Sequence, residues 1–201
     1  MSRLIKICVV GDGGVGKSSI TLRYLRNEFS EYYDPTIENS YQTEVEFRSR
    51  ICNIEIVDTA GQEEFLEFCH TSLAQGHAFV AVFAINSASS WDRLKELRDQ
   101  IVRDHEDKEE VPMVVVANKK DMEESKQVSM DDIVPYCRSI QTPFIETSAK
   151  TGLNINEAFQ LALEQIRIIN PELLGFQPLS PNARQRGDGR AGQRGNGCVL
   201  L

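Results

Sequence analysis

Gly11-Asp12-Gly13-Gly14-Val15-Gly16-Lys17-Ser18 follows an apolar run from Leu4 to Val10 and opens a segment of helical period, Lys17 to Arg26. Spacing G-x-x-x-x-G-K-[ST] between a strand and a helix lets consecutive backbone N–H groups curl around phosphate oxygens, with a helix N-terminus adding partial positive charge. In such a loop Lys17 bridges terminal phosphates and the Ser18 hydroxyl holds Mg²⁺. An acid inside the cradle is unfavourable by Coulomb's law, so Asp12 is expected to turn its side chain outward.

Asn118-Lys119-Lys120-Asp121, after the apolar run from Met113, carries the second signal. A carboxylate accepts two hydrogen bonds from the N1–H and exocyclic amine of guanine, whereas adenine offers no such pair of donors. The Lys119 stem can lie on the base plane, and Thr147-Ser148-Ala149-Lys150 offers further groups to the base. GTP and GDP are the expected ligands. Between the two signals, Asp58-Thr59-Ala60-Gly61-Gln62 ends another strand. There Asp58 can reach Mg²⁺ through a coordinated water, the Gly61 amide can contact a γ-phosphate, and Gln62 can orient an attacking water.

Apolar β-rich runs alternate with segments of helical period, which predicts strand–helix crossovers. Strands are expected at Leu4–Val10, Thr43–Phe47, Ile51–Asp58, Ala78–Ile85, Met113–Asn118 and Pro143–Glu146. Helices are expected at Lys17–Arg26, Leu66–Gln75, Ala88–Asp104, Met130–Ser139 and Ile155–Ile169. Polar Arg48-Ser49-Arg50 should turn a hairpin, the single antiparallel pair. The expected fold is α/β of the P-loop NTPase type, a six-stranded, mostly parallel sheet flanked by about five helices.

With 201 residues and a net charge of -8, the chain suits one nucleotide-binding domain, residues 1–170, and a tail. The acidic balance argues against a nucleic-acid partner. Five cysteines without C-x-x-C spacing point to a reducing compartment, not to zinc or disulfides. No apolar run approaches the ~20 residues of a membrane helix, and the N-terminus does not read as a signal peptide. His70, His77 and His105 are scattered and read as solvated or structural, Trp91 and Cys8 as packing residues, and Glu106 to Glu110 as a solvated loop.

After Ile169 the composition turns to Pro, Gly, Asn, Gln and Arg, so residues 171–197 are expected to be a flexible tail. Residues 198–201, Cys198-Val-Leu-Leu201, match C-a-a-X, and a terminal Leu favours geranylgeranyl on Cys198. Arg184, Arg186, Arg190 and Arg194 are the candidate second membrane signal, at about 1 kcal/mol each near an anionic leaflet.

These segments resemble a Ras-family small GTPase over nearly the whole chain: Gly11 to Ser18, Tyr33-Asp-Pro-Thr-Ile-Glu-Asn-Ser-Tyr41, Asp58 to Glu64, Asn118 to Asp121 and Glu146 to Lys150. The second of them is nearer the Ras, Rap and Rheb branch than Rab or Rho. The resemblance implies a GTPase with Gln62, Lys17 and Gly61 as catalytic groups and Ser18, Thr36 and Asp58 as the Mg²⁺ set. The implied nucleotide contacts are Gly11, Gly13, Gly14, Val15, Gly16, Lys17, Ser18, Ser19, Phe29, Tyr33, Pro35, Thr36, Asp58, Gly61, Asn118, Lys119, Asp121, Ser148, Ala149 and Lys150. Phe29 would pack edgewise on guanine. Tyr33, Asp34, Pro35, Thr36, Ile37, Glu38, Asn39, Ser40 and Tyr41 would face effector proteins.

The resemblance further implies an exchange factor, a GTPase-activating protein, a monomeric chain and a lipid anchor at the cytoplasmic face of a membrane, with the plasma membrane expected. Asn39 stands where Ras proper carries Asp, and Leu66 to Gln75 departs from the usual Ras sequence and lacks its arginine. No arginine lies between Phe29 and Tyr41, so slow intrinsic hydrolysis and a partner-supplied arginine are expected. The rival readings are a P-loop ATPase or small-molecule kinase, and a scaffold that binds GTP without hydrolysing it.

Overall fold

A computed structural model describes residues 3–30, 36, 38–59, 61, 71–105, 110–177 and the backbone of 198–199. Alternation along its strands splits the core in two. Strand β1 (Ile5–Gly11) sends Ile5, Ile7 and Val9 to one face of the sheet and Cys8 and Val10 to the other. A strand buried on both faces reads as a continuous apolar run, as it does in parallel sheets sandwiched by helices.

Strands β2 (Glu38–Phe47), β3 (Arg50–Thr59), β4 (Ala78–Ala84), β5 (Met113–Asn118) and β6 (Phe144–Glu146) complete the expected six, and a two-residue β7 (Cys198–Val199) follows. Their order is β2-β3-β1-β4-β5-β6-β7. β2 runs antiparallel to β3 and β7 antiparallel to β6, while the five strands between are parallel. The winding reverses around β1, and ligands of open α/β sheets bind at such a switch point, beyond the carboxyl ends of the strands.

Helices α1 (Lys17–Arg26), α2 (Ala88–Asp104), α3 (Met130–Ser139) and α4 (Ile155–Ile169) match the expected bounds. In α4 the residues Ile155, Ala158, Phe159, Ala162, Leu163 and Ile166 recur at helical spacing and, with Ile20 of α1, cover one face of the sheet. Trp91, Leu94, Leu97 and Ile101 of α2 with Ile133 and Cys137 of α3 cover the other. Ser87 and Ser129 cap α2 and α3, each accepting from a backbone N–H of the first turn. Trp91 packs tilted on Phe83 and edge-on to Tyr136, and Cys8 is buried, so both are core residues. Among the described residues no helix is long and apolar enough to cross a membrane.

Strand ends at β1, β3, β4 and β6 shift by one residue, and two boundaries differ from expectation by more. β2 begins at Glu38, five residues before the expected Thr43, because its ladder with β3 runs from Glu38 opposite Thr59 to Phe47 opposite Arg50. This is an edge strand with polar side chains at its start, so backbone pairing decides its length and apolar alternation does not. At the other end, the ordered domain continues past residue 170. Pro171–Leu174 forms a 3₁₀ turn, Arg50 Nη1 donates to the Gly175 carbonyl at 2.6 Å, and Phe176 packs edge-on to Phe47 beneath the Arg50 guanidinium. Three apolar residues, Leu173, Leu174 and Phe176, were hidden in a stretch whose composition reads as tail. Of the expected helix Leu66–Gln75, residues 71–74 are helical and 62–70 lie outside the described residues, as do 106–109 and 178–197.

Phe159 is fully buried, and its ring stacks on Tyr24 of α1 at 4.0 Å between centroids. Phe159→Ala removes that contact and leaves a cavity, a change that costs about 3–5 kcal/mol. Thermal unfolding should show Tm lowered by about 10 °C. A shift under about 2 °C would place this ring outside the core that joins α1 to α4.

Candidate functional site

Because β1, β3, β5 and β6 are parallel, their carboxyl ends share one edge of the sheet, and each delivers a polar group there. From β1 comes the glycine loop. Helix α1 then starts on Gly16 at φ 99° with no acidic residue in its first turn and, unlike α2 and α3, no side-chain cap. Its first N–H groups are thus left for an anion. A Cβ on Gly16 would stand 2.5 Å from Asn118 Nδ2, so the residue must be glycine for contact as well as conformation.

Lys17 is buried, and its Nζ donates to the Asp12 carbonyl at 2.8 Å. Asp12 Oδ1 accepts from the Gly13 N–H at 2.7 Å in an exposed bond, which keeps the carboxylate out of the cradle as expected. Gly61 lies against both Lys17 and Asp12: a Cβ there would collide with Lys17 Nζ and stand 2.5 Å from the Asp12 carbonyl oxygen. The Gly61 backbone, from beyond β3, is therefore seated on the glycine loop.

Ser18 Oγ and Thr36 Oγ1 are 2.9 Å apart, and the Ser18 hydroxyl also bonds Asp58. Asp58 is 1% exposed, and its Oδ1 has no hydrogen-bond partner among the described residues. Burial pushes the Asp58 carboxyl above the usual carboxylate range, opposed by the Ser18 hydrogen bond and the Lys17 charge. A buried carboxylate oxygen without a donor, beside two hydroxyls, is a set of oxygen ligands for a hard cation. Adjacent ligands of an octahedral ion at about 2.1 Å are about 3 Å apart, the separation of the two hydroxyls. The residues present fit Mg²⁺.

Asn118 organises the base side. Its Nδ2 donates to the Val15 carbonyl at 2.8 Å, and its Oδ1 accepts from Thr147 Oγ1 at 3.1 Å and the Ala149 N–H at 3.3 Å. One buried amide thereby ties the glycine loop to the loop after β6. Lys119 follows in left-handed backbone at φ 66°, a turn that brings Asp121 round to accept from Ser148 Oγ at 2.5 Å. Asp121 stays exposed at the rim. Burial lowers the Lys119 pKa, partly offset by Asp121.

Beneath this turn Lys120 pairs with Glu123 at 2.6 Å and Glu146 at 2.8 Å, and Lys126 pairs with Glu123 at 3.2 Å. Burial works against the Lys120 ammonium, but its two carboxylate partners outweigh it and raise the pKa. This ion-pair group escaped the sequence reading, as did Arg23, whose guanidinium reaches the Ala149 and Lys150 carbonyls. Their only sequence signal is a charged residue next to a motif.

Phe29 is exposed beside Arg23, with the guanidinium 5.8 Å from its ring centroid. Glu38, Asn39, Ser40 and Tyr41 lie in edge strand β2, Ser40 Oγ donating to Glu55 at 2.6 Å. His77 Nδ1 accepts from the Lys6 N–H, and His105 is buried at the end of α2, so both are structural. Gln62, Tyr33, Asp34, Pro35, Ile37 and His70 lie outside the described residues.

A phosphate-cradling loop at the switch point and an acidic rim at β5 define a P-loop nucleotide-binding protein. The Ras family model matches residues 6–168. The chain is 40% identical to Ras-like protein 1 of Saccharomyces cerevisiae over 165 residues, 82% of this chain and 53% of that protein. It thus spans about half the length of the yeast relative. It is 35% identical to Ras-like protein rasC of Dictyostelium discoideum over 202 residues and the whole of both chains. The chain belongs to the Ras family of small GTP-binding GTPases.

An ionised Asp58 without a cation destabilises the fold. Its raised pKa means that the native state holds the proton more tightly than the unfolded chain, so this group's contribution weakens as pH rises through the window above the ordinary carboxylate value. In chelator, metal-free Asp58→Asn should be at least as stable as wild type at pH 7.5 and should lose that part of the pH dependence. Calorimetry at pH 5 and 7.5 checks this. A clearly lower Tm for the variant at pH 7.5 would mean that the carboxylate is satisfied without a cation.

Proposed function

We propose that this chain is a membrane-tethered signalling switch that binds GTP or GDP with Mg²⁺, hydrolyses GTP to GDP and phosphate, and recruits effector proteins in the GTP form. The observation that carries the reading is the rim carboxylate of Asp121, braced by Ser148 at the same sheet edge as the glycine loop. It suits the adjacent N1–H and amine donors of guanine, while the phosphates lie on the N-terminus of α1.

In this scheme Ser18, Thr36 and Asp58 would hold Mg²⁺, which would supply positive charge against the β- and γ-phosphates. Lys17 transfers its hydrogen bond from the Asp12 carbonyl to the terminal phosphates. The Gly61 amide donates to the γ-phosphate, and Gln62 orients the attacking water. Loss of the γ-phosphate releases Thr36 and Gly61 together, an order–disorder switch read through Tyr33 to Tyr41. With no arginine between Phe29 and Tyr41, an activating protein supplies one and with it roughly 10³- to 10⁵-fold in rate. Exchange of GDP for GTP falls to a separate exchange factor, and the chain works as a monomer. Neutral Asn39 favours effector surfaces less basic than those that meet an acid at this position.

Prenylation of Cys198, with the four tail arginines as the second signal, places the domain on the cytoplasmic face of a membrane, the plasma membrane by preference. Cys198 and Val199 pair along β6, opposite Ile145 and Phe144. Lipid attachment requires this two-residue pairing to open, at a cost of about 1 kcal/mol per hydrogen bond.

Displacement of labelled GDP tests the base reading. GTP should compete fully and ATP not at all in thousandfold excess. Inosine triphosphate, which lacks the exocyclic amine, should bind about 10- to 100-fold more weakly. Equal competition by ATP would move the chain to the ATPase or kinase class, and GTP bound but never hydrolysed in a single-turnover assay would make it a scaffold. For the anchor, mass spectrometry of protein from its native cells should find Cys198 prenylated and residues 199–201 removed, and Cys198→Ser should move the protein to the soluble fraction. An intact C-terminus on membrane-bound protein would refute the lipid anchor.

A further inference from the structure

Arg23, in the last turn of α1, makes polar contacts that join distant parts of the site. Its Nε donates to the Ala149 carbonyl at 2.8 Å and its Nη2 to the Lys150 carbonyl at 2.8 Å. The remaining Nη1 donates to the carbonyl and the side-chain oxygen of Asn27, at 2.9 and 3.2 Å. Asn27 is the left-handed C-cap of α1, at φ 56°. The same cation faces the Phe29 ring at 5.8 Å. A planar fork with donors on three nitrogens can serve two successive carbonyls and a helix cap at once, which a lysine cannot.

These contacts join the two halves of the nucleotide site. The N-terminus of α1 carries the phosphate loop, and its C-terminus, through Arg23, grips the loop that runs past the base. Asn118 already fixes the Ala149 N–H from one side. Arg23 fixes the Ala149 and Lys150 carbonyls from the other, so the peptide between them cannot turn.

We propose that Arg23 is a positioning residue that sets how long guanine nucleotide stays bound. It braces the Ser148–Lys150 loop and Phe29 against α1, and it leaves the hydrolytic side of the site untouched. The proposal rests on the nucleotide-switch reading above. It adds a residence-time control outside the five matching segments. Three of its four accepting oxygens are backbone carbonyls, and of the residues that carry them only Ala149 belongs to the apolar core, so its removal loosens one loop and leaves the fold in place.

The test is dissociation of fluorescently labelled GDP, with Mg²⁺ present, from wild type, Arg23→Gln and Arg23→Lys. Loss of two charge-assisted hydrogen bonds predicts dissociation about 10- to 100-fold faster in Arg23→Gln. Arg23→Lys, able to hold one carbonyl at a time, should fall between the two. Single-turnover hydrolysis of pre-bound GTP should stay within twofold of wild type in both variants. Hydrogen exchange of the GDP-bound protein should quicken at residues 148–151 and remain unchanged in β4 and β5, which separates a loosened loop from a destabilised fold. A wild-type dissociation rate in Arg23→Gln overturns the proposal, as does hydrolysis slowed in parallel or exchange quickened throughout the sheet. Wild type that does not bind GDP overturns the nucleotide reading instead.

Discussion

A single buried amide holds the site together. Asn118 sits at the end of β5 with its oxygen accepting twice from the loop after β6 and its nitrogen donating to the glycine loop after β1. Each of those loops would otherwise be a surface connection with carbonyls and N–H groups free to wander, and low-dielectric surroundings make a satisfied amide there worth more than at the surface. The side chain is 1% exposed, so breaking one bond leaves a buried polar group without a partner. Phosphate and base sites are therefore mutually placed before any ligand arrives.

The two halves are built on different physics. On the base side the framework is neutral and pre-formed: backbone pairs such as Lys120 N–H to the Thr147 carbonyl at 2.9 Å, the Asn118 amide, and an ion-pair group in which Lys120 and Lys126 balance Glu123 and Glu146. On the phosphate side polar groups are left unmet among the described residues: an uncapped helix start and an Asp58 oxygen with no donor. Unmet polar groups buried in a native fold ask for a partner. Here the polyphosphate and cation of the proposed ligand have the matching charges.

Much of this was legible along the chain, and the reason is locality. Among the described residues, four of the five expected α-helices match expectation to the residue because apolar spacing is read within a few positions. The glycine loop and the Asn118–Asp121 turn were legible because their chemistry is carried by neighbours in sequence. What escaped has partners far away: Arg23 and Ala149 are 126 positions apart, Asn118 and Val15 103. Edge strand β2 was read too short because its polar residues pair through backbone groups that composition does not reveal, and Pro171 to Phe176 was read as tail because its few apolar residues find their partners on the β2–β3 hairpin.

By itself the sequence determined the sheet with its crossovers, the anion-ready start of α1, and the identity of the groups offered to base, phosphate and cation, since period, caps and motif spacing are properties of contiguous residues. Only the tertiary structure decided which groups meet: the Ser18 and Thr36 hydroxyls beside an orphaned Asp58 oxygen, Gly61 against Lys17, and Arg23 locked to Ala149 and Lys150. Those meetings depend on parallel strands ending at one edge and on helices packed across both faces, a constraint no local stretch of chain contains.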